Sequence, residues 1–387
     1  MVLGPLFAFH PLQLVAYFLS ILIALAVKSS PYRRLFFLPV LGTTVYTLHS
    51  TTGDLLGDYY LAIFWFTYFW FASDYILFTD VQRELRQVPP NPQDKNGVEN
   101  ASLWRRVRWS VSLMTSLRGV GWAHEPHNSL PARPAPTTSR LKFILHQLLH
   151  GLVLFLIHDI FNLHRRWNPM FRSSGPGWRT DGWIWRALAV ITWGGQGSTA
   201  MCLLAVNASI LAVAACLSEP QYWPALMGDP RELYTIRRFW ARGWHQMMLR
   251  FIKTHSRGVA CLFGFRPQSP ASALTQLFVA FALSASVHYA AEVMSFRSWS
   301  AGNAYQFFML QPCGIILEDL VLRVGRKMGF QSPKWRFLGY FTTLFWFRLT
   351  LPLWQERLVR AGHTDEGIPV SIVMGVLKGQ WMLPTEV

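Results

Sequence analysis

Residues 274–291 read LTQLFVAFALSASVHYAA, a stretch without Lys, Arg, Asp or Glu. It lies inside the apolar run 271–293, one of several of the length, about 20 residues, that a single bilayer crossing needs. The others are 6–27, 35–49 (short), 59–78, 183–191 continuing through 200–217, 304–322, 337–354 and 368–383. The expected fold is therefore all-α, a polytopic integral membrane protein with about eight transmembrane helices plus interfacial or re-entrant helices. No internal repeat appears, and no soluble stretch is large enough to fold alone. Residues 1–387 read as a single membrane domain with basic loops at about 80–140 and 218–270.

Composition narrows the class. Charged residues make up 14% of the chain and hydrophobic residues 51%, whereas a soluble globular protein carries about 25% charged residues. These values exclude disorder and disfavour a soluble enzyme. The net charge of +16 would raise nucleic-acid binding on a soluble protein. Here the positive residues sit between apolar runs, which fits the positive-inside rule, and no nucleic-acid partner is expected. The same charges could draw in an anionic cosubstrate or anionic headgroups. Cys202, Cys216, Cys261 and Cys313 form no CxxC pair and read as structural thiols.

Charge asymmetry sets a topology. No positive residue precedes the first run, and Lys28, Arg33 and Arg34 follow it, which suits a retained first span with its N-terminus outside. Residues 80–140, with Arg83, Arg86, Arg105, Arg106, Arg108 and Arg118, then face the cytosol. Residues 141–161 are apolar but carry His146, His150, His158 and Asp159. We read them as re-entrant or interfacial, on the expectation that a full crossing would put the basic stretch 231–266 outside. The protein would reside in the endoplasmic reticulum with its basic loops cytosolic. Asn100-Ala101-Ser102 is a glycosylation sequon that this topology keeps in the cytosol. Residues 84–102 form a polar loop, and Leu103, Val107, Val111, Met114 and Leu117 recur at helical spacing beside arginines, which predicts an interfacial amphipathic helix.

Three constellations could carry chemistry. The first is RELYTIRRFWARGWHQMMLR at 231–250. Arg238 and Arg242, four apart, would share a helix face and could grip a phosphate. Phe239, Trp240 and Trp244 could bury at the lipid interface, and the bland reading is a juxtamembrane helix anchored by those rings. The second is His288, with Ser284 and Glu292 one turn to either side on roughly one face. An ionisable side chain in such a run usually needs a task or a partner. A neutral buried imidazole is a suitable general base for a hydroxyl; the alternative is a structural histidine bonded to a neighbouring helix. The third is His146-x-x-x-His150, whose spacing suits a metal, although a polar face on a re-entrant or interfacial helix explains it better. No GxSxG elbow is present, and Gly194-Gly195-Gln196-Gly197-Ser198 lacks a phosphate-loop lysine and suits helix packing or a kink.

In this order, the blocks resemble the wax synthase-like branch of the membrane-bound O-acyltransferases. Phe239-Trp240-x-Arg242-x-Trp244-His245 looks like that branch's FWxRxWH block. Ser284-x-x-x-His288 looks like its SGxxH block, whose histidine is held to be catalytic. Arg118-Gly119-Val120-Gly121-Trp122 looks like an RGxGW block common in fungal members, and Phe307-Phe308-Met309-Leu310-Gln311 running into Glu318-Asp319 fits the region after the histidine. Ala285 stands where the family usually has Gly, and Tyr289 where many members have an acidic residue; Glu292 is the candidate for that orienting role.

The resemblance implies acyl transfer, with acetyl-CoA (an acyl-CoA) as cosubstrate, to the hydroxyl of an apolar alcohol of terpenoid type, as in fungal terpenoid and meroterpenoid O-acetyltransferases. On this reading His288 and His245 are catalytic: His288 deprotonates the alcohol, and His245 stabilises the oxyanion or orients the donor. Arg238, Phe239, Trp240, Arg242 and Trp244 bind acyl-CoA, Ser284 and Glu292 support, and no metal or bound cofactor is needed. The alternatives are a long-chain wax-ester synthase, a membrane di-iron lipid oxidase on His146 and His150, and a proton-coupled transporter with His288 as relay. His288 lies about 17 residues into its span, or roughly 25 Å deep. The donor would then need a water-poor channel from the basic face, and the alcohol an opening towards lipid.

Overall fold

A computed structural model describes residues 7–89, 97–178, 182–330 and 332–384. The chain begins with helices α1 (Leu12–Ala26), α2 (Phe37–Leu48) and α3 (Leu55–Ser73), the last running into a π-turn at Asp74–Phe78. Short α4 (Val81–Glu84) and α5 (Leu103–Thr115) follow, then the long α6 (Arg140–Trp167) and α7 (Trp183–Ala214). One turn of helix, α8 (Ile236–Arg238), leads into a second π-turn at Phe239–Gly243. After it come α9 (Leu249–Leu262), α10 (Pro270–Phe296), α11 (Ala304–Lys327), α12 (Trp335–Arg360) and α13 (Ile372–Lys378). Among the described residues the only paired strands are two-residue segments, Phe7–Ala8 and Ser50–Thr51. The molecule is an all-α membrane protein.

Four of these helices are long and apolar enough to cross a bilayer: Leu55–Phe78, Arg140–Trp167, Trp183–Ala214 and Pro270–Phe296. Helices α1 and α2 are apolar but shorter, while α11 and α12 are long but carry Pro312 and Pro352 and more charge. Two expectations need correcting. Residues 368–383 do not form a span, because only Ile372–Lys378 is helical and Gly379, at φ +73°, ends it. Residues 141–161 are not a broken or re-entrant segment, for Arg140–Trp167 is one unbroken helix started by Ser139, whose hydroxyl accepts from the Lys142 N–H. Two of its polar side chains have partners on neighbouring segments: His158 meets the Thr199 hydroxyl at 2.8 Å, and Asp159 accepts from the Ser371 hydroxyl and the Val373 N–H.

The chain folds as two units, residues 1–127 with 247–312 and residues 128–246 with 313–387. In the first, Tyr17, Trp65, Phe71, Tyr75, Trp109, Leu113, Trp122 and Phe251 form one aromatic-rich core. Here two of the arginines counted as positive-inside signals, and one glutamine, satisfy helix ends instead. Arg33 donates to the carbonyls of Tyr75 and Thr79, Arg106 to those of Ala26 and Ala101, and Gln82 to those of Leu25 and Val27. Most of these are the C-terminal carbonyls a helix leaves without partners. The amphipathic helix expected at 103–117 is present as α5. Its buried stripe is Arg106, Trp109, Ser110 and Leu113, so Leu103 and Val111 face outward.

In the second unit α6 packs closely on α7. A Cβ on Gly195 would lie 2.3 Å from the Phe161 ring, so this glycine serves helix packing, whereas a Cβ on Gly194 or Gly197 would meet nothing within 4 Å.

Candidate active site

In the first unit, the site residues stand on α10. Ser269 caps this helix and Pro270 occupies its first turn, the arrangement that best fits a missing N–H. The helix then runs unbroken to Phe296, with Ala285, Val287, Ala291 and Glu292 fully buried. His288 is half-buried, and its ring lies on Phe308 of α11, centroids 4.9 Å apart and 14° from parallel. A flat contact of this kind restricts rotation of the imidazole and covers one face of it.

Its expected companions have other engagements. The Ser284 hydroxyl donates to the Ala280 carbonyl, a bond within the helix. The Glu292 carboxylate accepts the backbone N–H groups of Asn303 at 3.0 Å and Ala304 at 2.8 Å, so it caps the first turn of α11 and ties that helix to α10. Tyr289 donates to the Trp299 carbonyl and packs edge-on to Tyr305. The short connection between α10 and α11 is thereby held from both ends, which fixes Phe308 against His288. Ser286, on the opposite side of α10, accepts from the Trp70 indole N–H at 2.9 Å.

Sequence reasoning missed a polar layer beside this helix. His255 of α9 bonds the Ser73 hydroxyl at 3.0 Å and the Phe251 carbonyl at 2.8 Å, with its ring edge-on to Trp70. Arg250 pairs with buried Asp74 at 2.9 Å and donates to Thr79. The available signal was the strongly one-sided pattern of 249–262, hidden by its reading as loop. The Arg118–Trp122 block forms a tight turn with Gly119 at φ +66° and Gly121 at φ +80°. A Cβ on Gly119 would meet the His124 ring at 2.8 Å, which explains the glycine. Burial pushes the His124 imidazole down to about 4, and the positive charge of Arg250 adds to the effect.

In the second unit, the FWxRxWH block is not a regular helix. Thr235 caps α8 through the Arg238 N–H, and the Trp244 N–H reaches back to the Phe239 carbonyl at 2.7 Å, closing the π-turn. Such turns recur at functional sites. Phe239 stacks on Trp244 and meets Phe347 of α12, as does Trp240. His245 follows with its ring 5.7 Å from that of Trp244. Arg238 and Arg242 share one side, as predicted, and what they share is a carboxylate: both donate to Glu232, Arg242 at 3.5 Å. Both remain partly open to solvent. Arg237 pairs with Asp319 at 2.5 Å, and Glu318 accepts from the Ile236 and Arg237 N–H groups, so these acids of α11 anchor the block.

His146 and His150 stand one turn apart on α6 with ring centroids 6.2 Å apart. Among the described residues no three His, Cys, Asp or Glu side chains converge as a metal site.

Residues 223–310 match the model of the membrane bound O-acyl transferase family, a segment that contains both the FWxRxWH block and His288. Acetyltransferase ple2 of Rhodocybe pseudopiperita is 34% identical over 97% of this chain and 98% of its own length. Acetyltransferase eriL of Hericium erinaceus is 34% identical over 92% and 93%. The O-Mevalon transferase macI of Penicillium terrestre is 26% identical over 78% and 71%. The chain belongs to the membrane bound O-acyl transferase family and is an O-acyltransferase enzyme.

Proposed function

We propose that this enzyme transfers the acetyl group of acetyl-CoA to a hydroxyl of an apolar, terpenoid-type alcohol. The observation that carries the reading is a histidine two-thirds of the way along a 27-residue apolar helix, its ring held flat on Phe308, inside the family-matched segment. The names of the relatives support acetyl as the acyl group.

The proposed step is direct. The imidazole of His288 takes the hydroxyl proton as the alcohol oxygen attacks the thioester carbonyl carbon. The tetrahedral intermediate collapses with cleavage of the C–S bond, and the imidazolium returns its proton to the CoA thiolate. His245 serves the oxyanion or the donor, while Arg238 and Arg242 take the CoA phosphates, with Phe239, Trp240 and Trp244 shaping the surroundings. Exclusion of water protects the thioester from hydrolysis. Ser284 supports α10 from within, and Glu292 positions His288 through α11. The chemistry requires no metal.

We further propose residence in the endoplasmic reticulum with the basic stretches cytosolic. Helices α6 and α7 are each long enough to cross, and two successive crossings return the chain to the side it left. On that parity, residues 80–140 and 218–270 share a side because 141–161 crosses fully, the reverse of the sequence-based expectation. A glycan on Asn100, exposed after Gly97, would overturn this topology.

The test of function is incubation of membranes carrying the protein with labelled acetyl-CoA, or with long-chain acyl-CoA, and a panel of terpenoid alcohols. Formation of a labelled acetate ester is expected, together with its loss in the inserted His288→Ala protein. Full activity of that variant would sink the assignment.

A further inference from the structure

The second unit holds an apolar cleft of about 310 Å³ between the first turn of α7 and the middle of α12. Its walls are Trp183 and Ala187 on one side and Phe341, Thr342 and Phe345 on the other, with Arg348 as the one charged lining residue. Trp183, Phe341 and Phe345 are each about half exposed, so the cleft opens outward.

Arg348 is out of place there. It lies in the sequence FTTLFWFRLTLPLW, mid-way along α12, and among the described residues it has no acidic partner. Its Nε is buried without an acceptor. What it meets is the face of Trp183, with the guanidinium carbon 5.5 Å from the ring centroid, and the positive charge of Arg186 one turn into α7. A cation–π contact is worth about 0.5–2 kcal/mol and leaves the charge of Arg348 without a counter-ion, and the second guanidinium of Arg186 adds repulsion. Arg348 calls for an anion.

The surroundings say which kind. At 32 residues α7 is about 48 Å long, well beyond the roughly 30 Å hydrocarbon core, so a terminal turn reaches headgroup depth. Trp183 and Trp185 at that turn suit the interfacial aromatic belt. The cleft sits at the small end of ligand pockets, roughly 300–1,000 Å³, which suits the head end of an amphiphile and its first methylenes.

We propose that this cleft is a binding site for an anionic membrane phospholipid, with its phosphate on Arg348 beside Arg186 and the start of an acyl chain between Trp183 and Phe345. The proposal is independent of acyl transfer and rests only on membrane embedding.

The test measures lipid bound to the full-length protein in mild detergent, by native mass spectrometry, with phosphatidylglycerol and phosphatidylcholine of identical chains. The wild type should bind phosphatidylglycerol roughly tenfold more tightly, the order one or two arginines supply at a lipid surface. Arg348→Gln should abolish the preference, Arg348→Lys should keep most of it, and Thr342→Trp, which fills the cleft from an exposed position, should remove it with both arginines intact. Equal binding of the two lipids by the wild type would overturn the proposal without recourse to any variant. So would a preference that survives both Arg348→Gln and Thr342→Trp. Competition by inorganic phosphate as effective as that by phosphatidylglycerol would reassign the site to a free anion and equally end the lipid proposal.

Discussion

The imidazole of His288 lies flat against the phenyl ring of Phe308, 4.9 Å between centroids, although the two residues stand on different helices. The contact depends on the connection between α10 and α11, where Glu292 accepts two backbone N–H groups. If His288 is the base, its reach to the alcohol is set by this stack. His288→Ala is expected to lower kcat by roughly 10²–10⁴. Phe308→Leu keeps the base and loosens its ring, and kcat should fall about tenfold or more with little change in the KM for acetyl-CoA. Steady-state kinetics on membranes with matched protein levels separate the two effects.

Glu232 draws on both arginines proposed to meet the CoA phosphates. Glu232→Gln should free them and lower the KM for acetyl-CoA by roughly threefold, the scale of a partly exposed ion pair. Arg238→Ala and Arg242→Ala should raise it. A KM that rises in Glu232→Gln would show that the carboxylate holds the arginines in place rather than competing for them. The effect should shrink as salt is added.

Arg250 and Asp74 form a pair in which the carboxylate is fully buried. Arg250→Ala leaves that charge uncompensated and should cost roughly 3–5 kcal/mol of stability, whereas the Asp74→Asn, Arg250→Met double variant should recover a large part of it. Thermal unfolding of the detergent-solubilised protein measures both. A single variant as stable as the wild type would mean that Asp74 is hydrated.

His124 titrates at about 4 in the folded protein and near 6.5 when unfolded. The sign follows from proton uptake. Below about pH 6.5 the unfolded chain binds a proton that the native protein refuses, so stability falls as pH drops and levels off near pH 4. The full loss is on the order of 3 kcal/mol. Unfolding curves between pH 4 and pH 8 should show this slope in the wild type, and His124→Asn should flatten it.

Much of the candidate site was legible in the sequence because it is local. His288 is conspicuous since a charge-free apolar run exposes any ionisable intruder, and the FWxRxWH block is dense in rings and guanidiniums. What was not legible depends on partners far along the chain. Ser284 and Glu292 have the right helical spacing for His288, yet one bonds its own helix and the other caps the next. Residues 141–161 read as re-entrant or interfacial from the charge of the loops, and the groups that satisfy His158 and Asp159 within a continuous helix come from α7 and the segment at 371–373. Residues 249–262 read as loop because their apolar stripe is interleaved with Arg250, Lys253 and Arg257.

The sequence by itself determined the solvent of this protein, the placement of its long apolar helices to within a few segments, and the position of His288 in a charge-free apolar run. These follow from hydropathy and period, which each stretch carries alone. Only the tertiary structure decided that Phe308 holds His288, that Glu232 joins Arg238 and Arg242, and that Arg250 neutralises Asp74. Burying a charge or ring is favourable only against a particular partner at a particular distance, and the folded chain supplies that partner.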